Sequence, residues 1–251
     1  VEGRISFKDA SHKWGYLDER GEVAVAPAFL TASDFSEGLA RVNVETERVQ
    51  VSESSAQVTQ RYGFIDPSGT FVIPPVHGQV DNFVGGRAMV TIDRKLGYLD
   101  KQGQLAIPAM YDFAMPFVEG FALVCVGDRY AGGKWGFIRP DGTALVEPSL
   151  PSASAFYQGF AAIKDDAGLW GYIDATGRVA LTPRYPDAAF VQDGRVIARS
   201  GTGYGVFDVD GNEVIAPTWK RVTLRGAIFE VMREDARREF YSRDGSRLGT
   251  L

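Results

Sequence analysis

A glycine stands six residues after each of seven short anchor motifs, and that rule restricts the chain to a repeat architecture. The anchors centre on residues 15, 63, 97, 136, 171, 205 and 239, and the glycines are Gly21, Gly69, Gly103, Gly142, Gly177, Gly211 and Gly245. Lys13-Trp14-Gly15-Tyr16-Leu17-Asp18 and Lys134-Trp135-Gly136-Phe137-Ile138-Arg139 show the motif at full strength, and Glu239-Phe240-Tyr241-Ser242 is its most worn copy. The intervals are 48, 34, 39, 35, 34 and 34 residues, so 34 is the base period.

Each glycine closes a polar four-residue turn such as Asp174-Ala175-Thr176-Gly177. Aspartate at the first position can accept hydrogen bonds from turn amides, and glycine at the last tolerates positive φ. With aromatic and branched residues on both sides, the segment predicts a β-hairpin with a bulged turn. A short apolar strand follows and meets a proline at Pro27, Pro74, Pro108, Pro148, Pro183 and Pro217. Each such strand is expected to end there or to lie at a sheet edge, because proline donates no backbone hydrogen bond. Phe35, Phe83, Phe117 and Phe156 then precede a glycine and a small residue, with Phe190 and Gly194 as a looser copy. Another strand comes next, such as Ala88–Ile92, and turns through Asp93-Arg94 into the following anchor. Three clear strands per unit are predicted, with a short fourth around residues 111–114. No stretch has helical periodicity.

One unit of this size cannot bury its apolar face alone, so neighbours must stack. The chain is therefore expected to be all-β, one domain over residues 1–251. Seven short antiparallel units would form a seven-bladed β-propeller-like ring, with an open β-solenoid as the alternative. Residues 1–7 match the Glu37–Val42 element, so the chain starts partway through a unit. Its head is expected to supply the piece that its tail lacks.

Two insertions interrupt the period, both between the small-residue strand and the next anchor. About 13 extra residues lie between Gly38 and Gly63, and about five around Gly127–Gly133. Both are read as loops on one face, the face on which repeat proteins often bind. Glu47, Arg48, Gln50, Glu53, Gln57, Asp128, Arg129 and Tyr130 are thus the candidate partner-binding residues. Trp14, Trp135, Trp170, Phe35, Phe83, Phe117 and Phe156 are assigned to the core between units, with Trp135→Ala costing roughly 3–5 kcal/mol. Trp219 lies outside the anchor series and is the tryptophan expected at the surface.

The motifs resemble those of the bacterial WG (KWG) repeat family, in which K-W-G-[FY]-I-D and a turn glycine lead to V-I-x-P, then Y-D, then F-x-E-G-L-A-x-V. Residues 13–27 with 35–42, and 134–148 with 156–163, follow this pattern, and Tyr111-Asp112 carries its middle motif. Tyr62, Leu96 and Tyr204 depart from it at the tryptophan, and Arg139 at the aspartate. The resemblance implies an interaction module, and some proteins of this general kind neutralise bacterial toxins as immunity partners. It implies no catalytic residue and no cofactor.

The residues themselves supply no catalytic constellation. His12 and His77 sit at non-equivalent positions and read as solvated loop histidines, and with one cysteine they make no zinc site. Cys125, inside an apolar run, reads as a buried structural thiol. Asp208–Glu213 echoes part of an EF-hand loop without its frame and is read as a turn. Asp165-Asp166 could in principle act as a glycosidase-type dyad, but two carboxylates are common on any surface and sequence does not give their spacing in space. Net charge is −5 with scattered basic residues, which disfavours nucleic acid and anionic membrane partners. No apolar run is long enough to span a bilayer. Nothing at the start resembles a signal peptide, and opening on Val1 fits a shortened chain or one that has lost a leader. A bacterial cytoplasmic or periplasmic address would suit the single cysteine equally. The expected function is non-enzymatic binding of another protein, including toxin neutralisation. The alternative is a lectin-like repeat that binds a glycan or the cell envelope.

Overall fold

The computed structural model describes residues 2–52, 55–187, 191–201 and 203–251, except for the side chains of 47–52, 55–58 and 191. Phe190 and Glu53 lie outside the described residues, as do the side chains of Glu47, Arg48, Gln50 and Gln57. No helix is present among the described residues. Seven antiparallel sheets follow one another along the chain, one per repeat.

The chain divides into two compact units, Val1–Arg129 with Ile138–Thr143, and Tyr130–Phe137 with Ala144–Leu251. In the first unit lies a sheet of Ile5–Lys8, Trp14–Leu17 and Val23–Phe29. The second sheet comprises Thr31–Ala32, Ala40–Ser52, Ser55–Ile65 and Phe71–His77, and the third Val80–Val84, Arg87–Ile92, Lys95–Leu99 and Leu105–Tyr111. The fourth repeat adds Phe113–Ala114 and Ala122–Val126, and the division falls inside it. In the second unit, Ser152–Ala153, Phe160–Lys164, Trp170–Asp174 and Val179–Tyr185 form the fifth sheet. Val191–Gln192, Arg195–Ser200, Gly203–Asp208 and Glu213–Trp219 form the sixth. Arg221–Arg225, Ile228–Met232, Arg238–Tyr241 and Arg247–Thr250 form the seventh. Within each sheet consecutive strands are neighbours, the meander of a propeller blade.

The expected exchange between head and tail does not occur. The seventh sheet has four strands of its own, and Ile5–Lys8 pairs with Trp14–Leu17 in the first. A strand closes on its sequence neighbour because the loop between them is short, which keeps the entropy of closure small. The prolines also do not stop their strands. Val23–Phe29 runs through Pro27, and its register against Trp14–Leu17 jumps from Trp14↔Phe29 to Tyr16↔Val25. Three residues, 26–28, therefore oppose Gly15 alone. Proline is tolerated because this is an edge strand with a bulge, the second of the two outcomes expected for it.

That bulge explains the anchor glycines. A Cβ on Gly15 would sit 2.5 Å from the Val25 carbonyl oxygen, and one on Gly63 2.6 Å from that of Ile73. The seventh repeat supplies the converse. Its last strand has no proline, Glu239 pairs directly with Thr250, and the glycine position carries a side chain. Turn glycines answer to a different constraint. Gly69 has φ +88°, and a Cβ there would lie 2.9 Å from the Val25 side chain of the preceding sheet. Gly103 stands likewise against Ile73, and in the second unit Gly211 against Leu181. One glycine thus permits the turn and lets it dock on the repeat before.

The turn aspartates behave as expected. Asp66 Oδ1 accepts from the Ser68 and Thr70 amides at 2.8 and 3.1 Å, and Asp174 Oδ1 from those of Thr176 and Arg178 at 2.8 and 3.1 Å. Where Arg139 replaces the aspartate, Asp141 accepts from the Thr143 amide instead, at 2.9 Å. Hydrogen bonds from Ser68, Thr143 and Thr176 hold Asp66, Asp141 and Asp174 below the ordinary carboxylate range, and Ser242 holds Asp244 at about 2. A depressed carboxylate contributes stability that is present above its unfolded pKa, near 3.9, and lost as pH falls through its folded value. Melting temperature should therefore drop between roughly pH 4 and 2. In Asp174→Asn the decline should be shallower than in the parent chain, as differential scanning calorimetry across that range would show.

The core lies between successive sheets. Tyr16, Phe64 and Tyr98, each the residue after an anchor glycine, are fully buried. The phenylalanine of the next repeat packs on each: Phe35 on Tyr16 at 5.0 Å, Phe83 on Phe64 at 4.8 Å and Phe117 on Tyr98 at 4.9 Å. In the second unit Phe156 meets Phe137 at 5.1 Å. These four phenylalanines are core, as the sequence implies. The anchor tryptophans are not. Trp14, Trp135 and Trp170 are half-buried; Trp14 and Trp170 flank clusters built from their neighbours. Trp219 also reverses its expected place. Only 6% exposed, it packs with Ile215, Phe229 and Val231.

Candidate binding surface

The larger insertion is no loop. Its backbone continues the second and third strands of the second sheet as one long antiparallel ribbon, paired from Ala40↔Ile65 to Ser52↔Ser55. Thr46 forms a bulge between the Glu45↔Gln60 and Glu47↔Thr59 pairs. The outer strands stop much earlier. Thr31–Ala32 reaches only Asn43, and Phe71–His77 reaches only Tyr62. Beyond those residues the ribbon has no sheet neighbour on either edge among the described residues, over a length of roughly 25 Å at ~3.3 Å per residue. Valine and threonine favour the extended backbone. Alternation at Val42, Val44, Val49, Val51 and Val58 was the readable signal. The segment carries none of the anchors of the 34-residue repeat, so the period itself does not reveal it.

Among the candidate residues here, the ribbon carries Glu47, Arg48, Gln50 and Gln57 by backbone position. The smaller insertion occupies the same connection, second strand to third, in the fourth repeat. Asp112 organises its start: Oδ1 meets Lys95 Nζ at 2.6 Å, and Oδ2 accepts from the Gly127 amide at 2.7 Å. The Lys95 hydrogen bond, followed by that amide, holds Asp112 below the ordinary carboxylate range. Asp128 follows, and the Arg129 guanidinium lies 4.8 Å from the Phe113 ring centre, a cation–π stack that fixes it. Tyr130, assigned to the other compact unit, is 83% exposed.

The remaining chemical candidates resolve into structure. His12 is exposed in the loop that joins the first two strands. His77 is not the solvated loop residue expected. It ends the strand Phe71–His77, its Nε2 is buried, and that burial lowers its pKa. Cys125 is buried, and its thiol is pushed up by that burial. Asp165 accepts from the Leu169 amide at 2.8 Å, and Asp208 accepts from those of Asp210 and Asn212, so both are turn residues. No group of three His, Cys, Asp or Glu side chains could hold a metal among the described residues. Sequence reasoning missed Glu239, a buried carboxylate in the last repeat. Arg233 Nη2, Arg247 Nε and the Tyr241 hydroxyl approach it at 2.8, 2.8 and 3.1 Å. Burial alone would raise its pKa, but the hydrogen bonds from Arg233 and Tyr241 and the nearby arginine charges hold it low.

A family model for the WG containing repeat matches residues 14–45, 62–95, 97–130, 135–167 and 170–201. The chain belongs to the WG repeat family. The five matched segments cover more than half of it and begin at or beside five of the anchors. The last two anchors lie beyond the matches, where the WG repeat motif is most worn. None of the curated proteins matches the chain. Solved structures similar to it include the computationally designed Ika8 protein, at 11% identity and a TM-score of 0.37, covering 100% of this chain and 84% of that one. BamB from Moraxella catarrhalis is similar at 10% identity and a TM-score of 0.37, over 98% of this chain and 87% of that one. The WD40 β-propeller domain of Doa1 is similar at 12% identity and 0.29, over 89% and 86%.

Proposed function

We propose that this WG repeat protein is a non-enzymatic module that docks another protein, and that the ribbon beyond Val44 and Arg61 is its principal contact. The observation that carries this reading is that, among the described residues, no strand pairs with either edge of the ribbon there. Two strands without a supporting sheet are marginal in water, so the ribbon adds little to the stability of the repeats. Among the described residues it presents two unpaired backbone edges, which suits recognition by a protein surface. Cys125 argues in the same direction, because a thiol pushed up by burial is a poor nucleophile. Toxin neutralisation is the concrete form of this function that we favour. The lectin reading is weaker: Lys8 lies 5.8 Å from the Trp14 ring centre, Lys164 5.3 Å from that of Trp170, and Arg233 5.0 Å from that of Trp219. Rings already covered by cations make poor platforms for sugars.

The test replaces residues 46–59 by Asn-Gly between Glu45 and Gln60. The third sheet already uses such a two-residue turn, Asp93-Arg94 with φ of 49° and 65°. The variant should melt within a few degrees of the parent chain and fail to capture the partner that the parent chain pulls from a lysate of its source. Undiminished capture would sink the ribbon's role, and glycan-array binding by both proteins would favour the lectin.

A further inference from the structure

The seventh repeat departs from the others at its anchor, and the departure leaves room for a charged site. In the sixth repeat a Cβ on Gly205 would stand 2.6 Å from the Ile215 carbonyl oxygen, so the crossing strand closes the space over that position. Glu239 holds the same place in the seventh, opposite Thr250 one to one, and no proline-bearing bulge crosses it. A groove of about 510 Å³ opens beside it instead, lined by Arg233, Arg237, Glu239, Arg247, Thr250 and Leu251. That volume falls in the range of small-molecule sites.

The buried Glu239 carboxylate organises the groove. Its Oε1 accepts from Arg233 Nε and Nη2 at 3.1 and 2.8 Å. Its Oε2 accepts from the Tyr241 hydroxyl at 3.1 Å and stands 2.8 Å from Arg247 Nε. The Arg233 guanidinium also lies 5.0 Å from the Trp219 ring centre, a stack that fixes its plane. One carboxylate thus orders two guanidinium groups, and each keeps N–H donors that Glu239 does not use: those on Nη1 of Arg233 and on both terminal nitrogens of Arg247. Arg237 adds a third cation with a side chain that is 79% exposed. Its ion pair with Asp235, at 3.5 Å, is exposed as well and therefore weak. Three cations face one buried and one exposed carboxylate, which leaves positive charge in excess. The surroundings reinforce it: residues 220–251 carry eight Lys and Arg against five Asp and Glu, whereas the whole chain has 27 against 32.

We infer that this groove binds a small ligand through an oxyanion, the group that phosphate esters and carboxylic acids share. The planar fork of a guanidinium matches both with paired hydrogen bonds. Arg233, Arg237 and Arg247 are the contacts, and Glu239 is a positioning residue that acts through two of them. Because Arg233 and Arg247 are already held, the ligand does not have to immobilise those side chains, which lowers the cost of binding. The site lies within the second compact unit and shares no residue with the ribbon of the second sheet.

The probes are inorganic pyrophosphate and citrate, each titrated into the full chain by isothermal titration calorimetry at physiological ionic strength. Saturable one-to-one binding of at least one of them is expected. Tighter binding of pyrophosphate assigns the site to a phosphate group, and tighter binding of citrate to a carboxylate. Arg237→Ala and Arg247→Lys should each weaken binding at least tenfold, the first without a change in melting temperature because its side chain is exposed. Arg20→Ala, at an exposed arginine of the first unit, should leave affinity unchanged and so excludes general attraction of anions. The inference fails if neither probe binds saturably at millimolar concentration, or if both groove variants bind as the parent chain does. It also fails if Arg20→Ala weakens binding as much as they do. Replacing the ribbon should leave each of these results unchanged, so they do not depend on the docking function.

Discussion

Gly97→Ala is expected to cost about 3–5 kcal/mol, although it adds a single methyl group to an unremarkable strand position. A Cβ on Gly97 would stand 2.6 Å from the Ile107 carbonyl oxygen, 2.7 Å from the Ala109 nitrogen and 2.8 Å from the Ala109 Cα. All three are backbone atoms, so no side chain can swing aside. Relief requires the strand Leu105–Tyr111 to move away, and Ile107 on that strand is part of the buried cluster with Tyr98 and Phe117. Two controls separate this clash from the general effects of glycine. Gly120 has φ +84° with open space around its Cβ position, so Gly120→Ala should cost only the left-handed backbone, about 1–2 kcal/mol. Gly249, in the last strand of the seventh sheet, has neither positive φ nor a neighbour within 4 Å, so Gly249→Ala should leave stability within about 0.5 kcal/mol. Urea denaturation of the three variants gives the order directly. Should Gly97→Ala fall within ~1 kcal/mol of the parent chain, the close crossing of the two backbones is not what requires the glycine.

The same crossing explains why the anchor and the proline are readable together in the sequence. Gly15 and Pro27, or Gly97 and Pro108, are two halves of one bulge, so both fade when the bulge does, as at Glu239. Legibility was high wherever a residue type is imposed by the backbone: turn glycines, turn aspartates and the strand order all follow from spacing. It failed where side-chain direction decides. Trp14 and Tyr16 are both large and aromatic, and their sequence pattern does not say which reaches the centre of the cluster. Trp219 was misplaced because it ends a proline-containing strand, a position filled by Phe29, Tyr111 and Tyr185 in other repeats, all of them buried. The ribbon looks like a loop in the sequence because it matches no part of the repeat. Its strands are specified by valine alternation and not by any anchor.

Phe137→Ala should destabilise the chain more than Trp135→Ala, although tryptophan is the larger side chain and the more prominent mark in the sequence. Phe137 is fully buried and meets Phe156 edge-on, with interplanar angle 71°. Its removal leaves a cavity that two packed strands cannot easily close, at a cost of about 3–5 kcal/mol. Trp135 is half-buried. Half of the 150–250 Å² that an aromatic ring can bury, at ~25 cal/mol per Å², amounts to about 2–3 kcal/mol, and water can enter the space it vacates. That places Trp135→Ala below the 3–5 kcal/mol that a core position would give. Both residues lie on one strand, Lys134–Ile138, so propensity and turn effects largely cancel. Equilibrium denaturation of both variants decides it, and a larger loss for Trp135→Ala would return the tryptophans to the centre of the packing. The order matters for function as well, because a ring that stability does not fully require can change between repeats. Tyr62, Leu96, Tyr204 and Arg238 occupy the tryptophan position in four of the seven, whereas the position two residues later is buried at Phe64, Tyr98 and Val206 alike.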